Sequence, residues 1–243
     1  MIRRLMRKLY CAITFISLFY AFVCGADVKV IPGGVVFPAA GGAAAWWEYG
    51  FESADACSNH FESTEVTPTC NDTTNPLSGT YDMLFNLTDI DAVIKDFGAA
   101  LDEVWLQYGW YVGSAYSTTY FHGVLRDDAG TPADCFDIAI RDSTGYRISF
   151  YDNIGSAYRD GSQTAPAGGN WIYIRLHFLR NDSTGQAQAW QSTDGSSYTQ
   201  VINYSGDTST GTGYGDFRWY MGGISDQNYL FDEMKIYTSD PGW

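Results

Sequence analysis

Cysteine, basic side chains and recognisable catalytic motifs are all scarce in this chain. Of its 243 residues five are Cys, and Lys plus Arg number 14 against 28 Asp plus Glu. No two cysteines are spaced as C-x-x-C, which argues against a zinc site. The G-x-S-x-G, H-E-x-x-H and phosphate-loop patterns are also missing. Nothing therefore points to a serine hydrolase, a zinc protease or a nucleotide-binding enzyme.

Long apolar runs are missing too, except near the N-terminus. A basic head, Met1 to Lys8, precedes an apolar run from Leu9 to Val23 and a small-residue exit ending at Ala26. This pattern predicts a secretory signal peptide over residues 1–26, cleaved near Ala26, and hence a secreted protein with no membrane segment beyond the signal. A retained single-pass anchor is the alternative, because the run is close to the shortest that spans a bilayer.

The low basic content limits the choice of partners. The predicted signal holds four of the basic residues and no acidic one, so the remainder carries ten basic against 28 acidic side chains, a formal charge of −18. Phosphate backbones would be repelled, so nucleic acid is excluded as a partner. Such acidity serves solubility or ion binding.

Three cysteines follow the predicted signal. Cys57 and Cys70 are close enough to form a disulfide that closes a surface loop, which stabilises an exported protein by about 3 kcal/mol. Cys135 is the odd cysteine left over, and we expect it to be buried or weakly exposed.

The clearest structural element is the segment 171–178. Ile172, Ile174, Leu176 and Phe178 alternate with Trp171, Tyr173, Arg175 and His177. Strict alternation over eight residues predicts a strand with one face in the core and the other toward solvent.

The same pattern recurs along the chain. After a Gly/Ala-rich lead-in or linker over residues 27–45, strands are predicted near residues 46–52, 81–86, 104–112, 120–126, 136–141, 146–151, 171–180, 186–191, 198–204, 217–222 and 230–237. Residues 53–75 are predicted to form a long loop. Residues 91–102 fit a helical stripe or a short strand, and the context favours the strand. The fold class is therefore all-β, an antiparallel sandwich or jelly roll.

A series of loose motifs in a fixed order carries a family resemblance. They are Gly50-Phe51-Glu52, Ser78-Gly79-Thr80-Tyr81, Glu103-Val104-Trp105-Leu106, Asn170 to Leu176, Gly185 to Trp190, Gly222-Gly223 and Leu230 to Tyr237. Together they resemble the concanavalin A-like lectin/glucanase superfamily over residues 46–239. The predicted jelly-roll domain spans residues 46–243. More narrowly, the chain is similar to laminin-G-like jelly-roll domains of secreted and virus-associated proteins.

The resemblance implies a curved sandwich whose concave sheet handles a polysaccharide or other glycan. It also implies a structural calcium ion that bridges the first and last strands. Asp232 matches the superfamily's last-strand acidic pair, and Glu52 or nearby carbonyls are its expected partners, since calcium takes oxygen ligands.

Aromatic and polar side chains on the predicted solvent faces are the candidate sugar contacts. Aromatic rings stack on the C–H faces of sugars, while charged and amide groups bond the hydroxyls. In the segment 120–127, Phe121 and Leu125 are expected to point inward, so that His122 and Arg126 point outward. The candidate set is Trp105, Tyr111, His122, Arg126, Arg141, Tyr173, Arg175, His177 and Tyr220.

The function predicted from these residues is non-catalytic carbohydrate binding. The Glu-x-Asp-x-x-Glu run of related glucanases does not occur, and Val124-Leu125-Arg126 stands where related polysaccharide lyases have Gln-Ile-His. Two alternatives remain open: a structural surface or virion-associated jelly roll, and a divergent polysaccharide lyase.

Overall fold

The computed structural model describes residues 30–31, 34–35, 45–51, 56–65, 68–73, 75–85, 92–113, 116, 118–129, 133–208, 211, 213–222 and 229–243. The predicted signal peptide and Glu52 lie outside these residues. The chain forms two compact units, one of residues 1–43 with 241–243 and one of residues 44–240. In the first unit Val30–Ile31 (β1) pairs antiparallel with Gly34–Val35 (β2).

The second unit is built from strands. They are β3 Trp47–Tyr49, β4 Ser63–Glu65, β5 Thr69–Asp72, β6 Asp82–Phe85, β7 Ala92–Leu101, β8 Glu103–Val112, β9 Tyr120–Asp127, β10 Asp134–Arg141, β11 Arg147–Asp152, β12 Ala157–Thr164, β13 Trp171–Leu179, β14 Gly185–Ser192, β15 Thr199–Gly206, β16 Tyr214–Gly222 and β17 Tyr229–Tyr237. Short 3₁₀ turns occupy Cys57–Asn59 and Asp142–Thr144. Among the residues described, no helix has the length and apolarity needed to cross a membrane.

These strands form two antiparallel sheets. The seven-stranded sheet has the order β12-β11-β10-β9-β16-β7-β4. The eight-stranded sheet has the order β15-β14-β13-β8-β17-β6-β5, with β3 paired to β17. The all-β sandwich predicted from the sequence is confirmed.

Strand β13 shows why the sheets pack as they do. Its side chains Ile172, Ile174, Leu176 and Phe178 are fully buried, as the alternation predicted. Burying each one contributes roughly 1.5–3 kcal/mol. The Phe178 ring meets Phe136 of the opposing sheet at 5.1 Å between centroids and Phe150 at 5.3 Å. The core is therefore the layer between the two sheets.

Two segments differ from the sequence-based expectation. Residues 53–75 contain the strands β4 and β5, so the prediction of one long loop is wrong. Strand β12 was not predicted, because its sequence Ala-Tyr-Arg-Asp-Gly-Ser-Gln-Thr is polar. Both β5 and β12 lie at sheet edges, where polar side chains are tolerated because one side of the strand faces water. The ambiguous segment 91–102 contains β7, as the context favoured.

The cysteine predictions are confirmed. Cys57 and Cys70 form a disulfide with their Cα atoms 5.2 Å apart. Cys135 is a free, buried thiol.

Candidate functional site

The nine predicted sugar contacts do not share one surface. Five lie on the outer side of the eight-stranded sheet, three on the outer side of the seven-stranded sheet, and one in the core. The residues on the eight-stranded sheet are Trp105, Tyr111, Tyr173, Arg175 and His177. Those on the seven-stranded sheet are Arg126, Arg141 and Tyr220, and the core residue is His122. The nine residues therefore do not converge on one groove, because the two outer faces lie on opposite sides of the sandwich.

His122 points into the core, so its predicted outward orientation is wrong. The register between β9 and β10 shifts by one residue here: Gly123 pairs with Ile138, but Phe121 pairs with Ala139. This bulge turns the His122 side chain inward, where it is fully buried. Its Nδ1 lies 3.0 Å from the Tyr108 hydroxyl.

The bulge also prevents His122 from acting as the proton-abstracting base of a lyase. A proton-abstracting histidine must reach the substrate, and His122 is sealed inside the sandwich. Burial lowers the pKa of His122 to about 3, so its imidazole is neutral at physiological pH. Arg126 and His177, two further predicted sugar contacts, lie on different sheets, so they do not form one site with each other.

On the seven-stranded sheet, the two predicted arginines are engaged by carboxylates. Arg126 forms a two-pronged ion pair with Asp216, with Nε to Oδ1 at 2.7 Å and Nη2 to Oδ2 at 2.9 Å. Arg141 donates to Asp160 at 2.8 Å and lies over the ring of Tyr158 at 3.8 Å. Such pairs hold the guanidinium planes in fixed directions.

At the centre of this face, the Asp137 carboxylate lies among polar and aromatic side chains. The register pairs Asp137 with Tyr151 on one side and with Val124 on the other, and Val124 in turn pairs with Arg218. Asn153 Nδ2 donates to Asp137 Oδ2 at 3.2 Å. The Arg218 guanidinium lies 5.4 Å from the centre of the Tyr220 ring. We call Asp137, Tyr151, Asn153, Arg218 and Tyr220 the Asp137 cluster.

The electrostatics of the cluster are those of a partly desolvated site. Burial raises the pKa of Asp137 to about 6, although the hydrogen bond from Asn153 acts in the opposite direction. Burial, and next the charge of Asp137, raise the pKa of Tyr220. The cluster brings together a carboxylate acceptor, an amide donor and two tyrosine rings. All of these side chains are half-buried. This combination suits a ligand that carries several hydroxyl groups.

The sequence predicts only part of this cluster. Tyr220 was predicted as a sugar contact, and Asp137 and Tyr151 were recognisable as outward residues of their strands. Asn153 follows the end of β11, and Arg218 carries no local signal, so neither could be found before the strand neighbours were known.

The outer face of the eight-stranded sheet is partly covered by the chain itself. Trp171 Nε1 donates to the carbonyl of Asn75 at 3.1 Å, and the Trp171 ring meets Tyr111 at 5.5 Å. A side chain at Gly109 would have its Cβ only 2.4 Å from Leu77 Cδ2, so glycine permits this close approach. The segment around Leu77 therefore lies on the sheet over β8.

Asp232, the predicted metal ligand, lies buried beneath the same segment. Its Oδ2 accepts from the backbone N–H groups of Leu77 and Ser78, both at 3.1 Å, and its Oδ1 accepts from Glu233 N–H at 2.7 Å. Glu233 has a φ of 49°, which marks a bulge in β17. Burial raises the pKa of Asp232 to about 7 despite these donors.

A second carboxylate adjoins it. Phe231 pairs with Met83, so Asp232 and Asp82 are the next positions along these two strands, and Asp82 pairs with Asp72 of β5. Asp82 is fully buried, and neither of its oxygens makes a hydrogen bond of normal geometry. Burial, followed by the neighbouring charges of Asp72 and Asp232, raises its pKa to about 8.

Two adjoining buried carboxylates, one of them without a well-placed donor, fit a hard cation. In the described part of the chain, no three His, Cys, Asp or Glu side chains are grouped as a complete metal site. Backbone carbonyls or water would therefore have to complete the coordination. The other predicted ligand, Glu52, lies outside the described residues.

This chain is similar to known proteins in its fold, but no family model or curated sequence is similar to it. No family model matches the chain, and no curated protein matches it. Among solved structures, the globular domain of T. cruzi calreticulin is similar over 81% of this chain and 89% of its own, with a TM-score of 0.52 and 8% identity. The carbohydrate recognition domain of Emp46p, in a potassium-bound form, is similar over 79% of this chain and 95% of its own, with a TM-score of 0.51 and 12% identity. These likenesses confirm the concanavalin A-like jelly-roll fold, and at such identities they show the fold alone.

Proposed function

We propose that this concanavalin A-like jelly roll is a non-catalytic carbohydrate-binding module, and that the sugar lies on the outer face of the seven-stranded sheet. The observation that carries the proposal is the Asp137–Asn153 pair between Tyr151 and Tyr220. The carboxylate accepts from one sugar hydroxyl, the amide bonds its neighbour, and a tyrosine ring covers the C–H face.

The neighbouring folds support this assignment. The Emp46p domain is named a carbohydrate recognition domain. Because fold does not determine function, the chemistry of the Asp137 cluster carries the argument. We also propose that the domain is of the laminin-G-like type, the narrower group that its sequence resembles.

Export and a structural cation are part of the proposal. The Cys57–Cys70 disulfide supports export, because disulfides persist in oxidising compartments. Asp82 and Asp232, with Asp72 beside them, would hold a calcium ion. When bound, the ion would neutralise the buried carboxylates and so tie β5 and β6 to β17.

A glycan array tests the proposal, run with and without calcium. We expect selective binding that falls roughly ten-fold or more in Asp137→Asn, because the amide replaces an ionic acceptor with a neutral one. Asp182→Asn removes the same charge from the exposed turn before β14 and should bind like the wild type. Since the pKa of Asp137 is about 6, wild-type binding should weaken below that pH, and binding by Asp137→Asn should not.

Absence of binding across a broad array would contradict the proposal and favour an architectural role, such as a surface or virion-associated protein. Equal losses in Asp137→Asn and Asp182→Asn would move the site away from the Asp137 cluster.

A further inference from the structure

A second group of aromatic and amide side chains lies on the other side of the sandwich. Across the eight-stranded sheet, the register places Trp105 beside His177, His177 beside Gln188, and Gln188 beside Asn203. Trp190, two residues after Gln188 on β14, projects from the same face. We call Trp105, His177, Gln188 and Trp190 the tryptophan patch.

Hydrogen bonds fix the orientation of Trp105. Its ring stacks on His177 at 3.7 Å between centroids with 14° between planes, and its Nε1 donates to Glu103 Oε1 at 3.1 Å. The His177 ring is held at 2.9 Å from both Glu103 Oε1 and Gln188 Oε1. The Gln188 amide in turn donates to Asn203 at 2.7 Å. A ligand that contacts this indole therefore has little side-chain entropy to remove.

The second indole is aligned with the first. The Trp190 ring is within 22° of the Trp105 plane, with the centroids 6.3 Å apart. Both indoles are half-buried, so each leaves part of its surface open to solvent. Two aligned indoles beside side-chain amides offer stacking surfaces for sugar C–H faces and hydrogen-bond partners for hydroxyls.

We propose that the tryptophan patch is a second saccharide-binding site, and that its ligand is a neutral polysaccharide chain. An acidic chain is disfavoured, because the protein carries a formal charge of −14 and Glu103 lies within the hydrogen-bond network of the patch. The nearby cation, Arg175, is engaged: its Nε donates to Gln107 at 3.0 Å and its guanidinium lies 3.6 Å from the Tyr198 ring centre.

Two sites on opposite faces would make the domain bivalent, a consequence that rests on the proposed function of the Asp137 cluster. The tryptophan patch itself does not depend on that cluster. A bivalent module would link two saccharide chains, one on each face of the sandwich.

Isothermal titration with three neutral probes, mannohexaose, cellohexaose and laminarihexaose, tests the second site. We expect binding to at least one probe, weakened roughly ten-fold by Trp190→Ala and less by Trp190→Tyr, which keeps a ring. Trp46→Ala removes an exposed ring that packs on Phe97 of β7, outside both proposed sites, and should leave this binding unchanged. Thermal melts and near-ultraviolet circular dichroism check that each variant is folded.

The outcomes separate this proposal from the previous one. Binding of none of the three probes, or equal affinity in folded Trp190→Ala and wild type, overturns the tryptophan patch as a site. Weak binding in Trp190→Ala with normal binding in Asp137→Asn supports the patch. If Asp137→Asn then also binds the glycan array normally, the proposed function of the Asp137 cluster fails while the patch stands.

Discussion

At the scale of single residues, His122 shows how burial couples a side chain to pH. Its ring stacks on Trp110 at 4.3 Å between centroids and its Nδ1 meets the Tyr108 hydroxyl. Because no water can solvate an imidazolium there, the folded state keeps the ring neutral down to about pH 3. The unfolded chain takes up a proton near pH 6.5.

We therefore expect His122 to destabilise the fold in mild acid. Below about pH 6.5 the unfolded state binds one more proton, so the free energy of unfolding falls by about 1.4 kcal/mol per pH unit on this account. His122→Gln removes the titration. Urea unfolding at about pH 7 and about pH 5 should show a larger acid loss in the wild type than in the variant.

The wild type must be compared with His122→Gln, because Asp82, Asp137 and Asp232 change the free energy of unfolding with pH in the opposite direction. Their raised pKa values make the fold more stable as the pH falls. The same acid loss in His122→Gln and wild type would contradict a buried neutral imidazole.

At the scale of secondary structure, the segment from Cys57 to β5 depends on its disulfide. The bond joins the 3₁₀ turn at Cys57 to the edge strand β5, across a sequence separation of 13. We expect reduction to lower the free energy of unfolding by about 3 kcal/mol, since the open loop gains chain entropy when unfolded. Urea unfolding with and without reductant measures the change.

The third cysteine of the domain, Cys135, gives the control. Cys135→Ala should respond to reductant like the wild type, because Cys135 takes no part in the bond. The double variant Cys57→Ala, Cys70→Ala should not respond at all. A response in the double variant would show that the stability change has another origin.

At this scale, the sequence predicts the features whose pattern lies within a single strand and not those that depend on strand pairing. The faces of β8 and β13 were predicted correctly, because alternation is written along one strand. The inward orientation of His122 is not predicted by the sequence, because the bulge depends on how β9 pairs with its neighbours. The Asp137 cluster and the Asp82–Asp232 pair draw on strands far apart in sequence, so only strand order reveals them.

At the scale of the whole domain, three carboxylates lie where early strands pair with the last strand. They are Asp72 on β5, Asp82 on β6 and Asp232 on β17. Without a cation, Asp82 and Asp232 keep protons that the unfolded chain has already released. Their folded-state pKa values of about 8 and about 7 lie above the usual value near 4. The unloaded domain therefore loses stability as the pH rises from about 4 to about 8.

A bound cation should reverse that loss, since it competes with protons for the same oxygens. We expect calcium to raise the melting temperature more at about pH 8.5 than at about pH 5.5, with potassium at matched ionic strength as the comparison. Asp82→Asn should melt higher than the unloaded wild type at the higher pH and gain nothing from calcium, while Asp182→Asn should behave like the wild type. An equal calcium shift in Asp82→Asn and wild type would place the cation elsewhere, and the buried carboxylates would then destabilise the fold without a ligand to offset them.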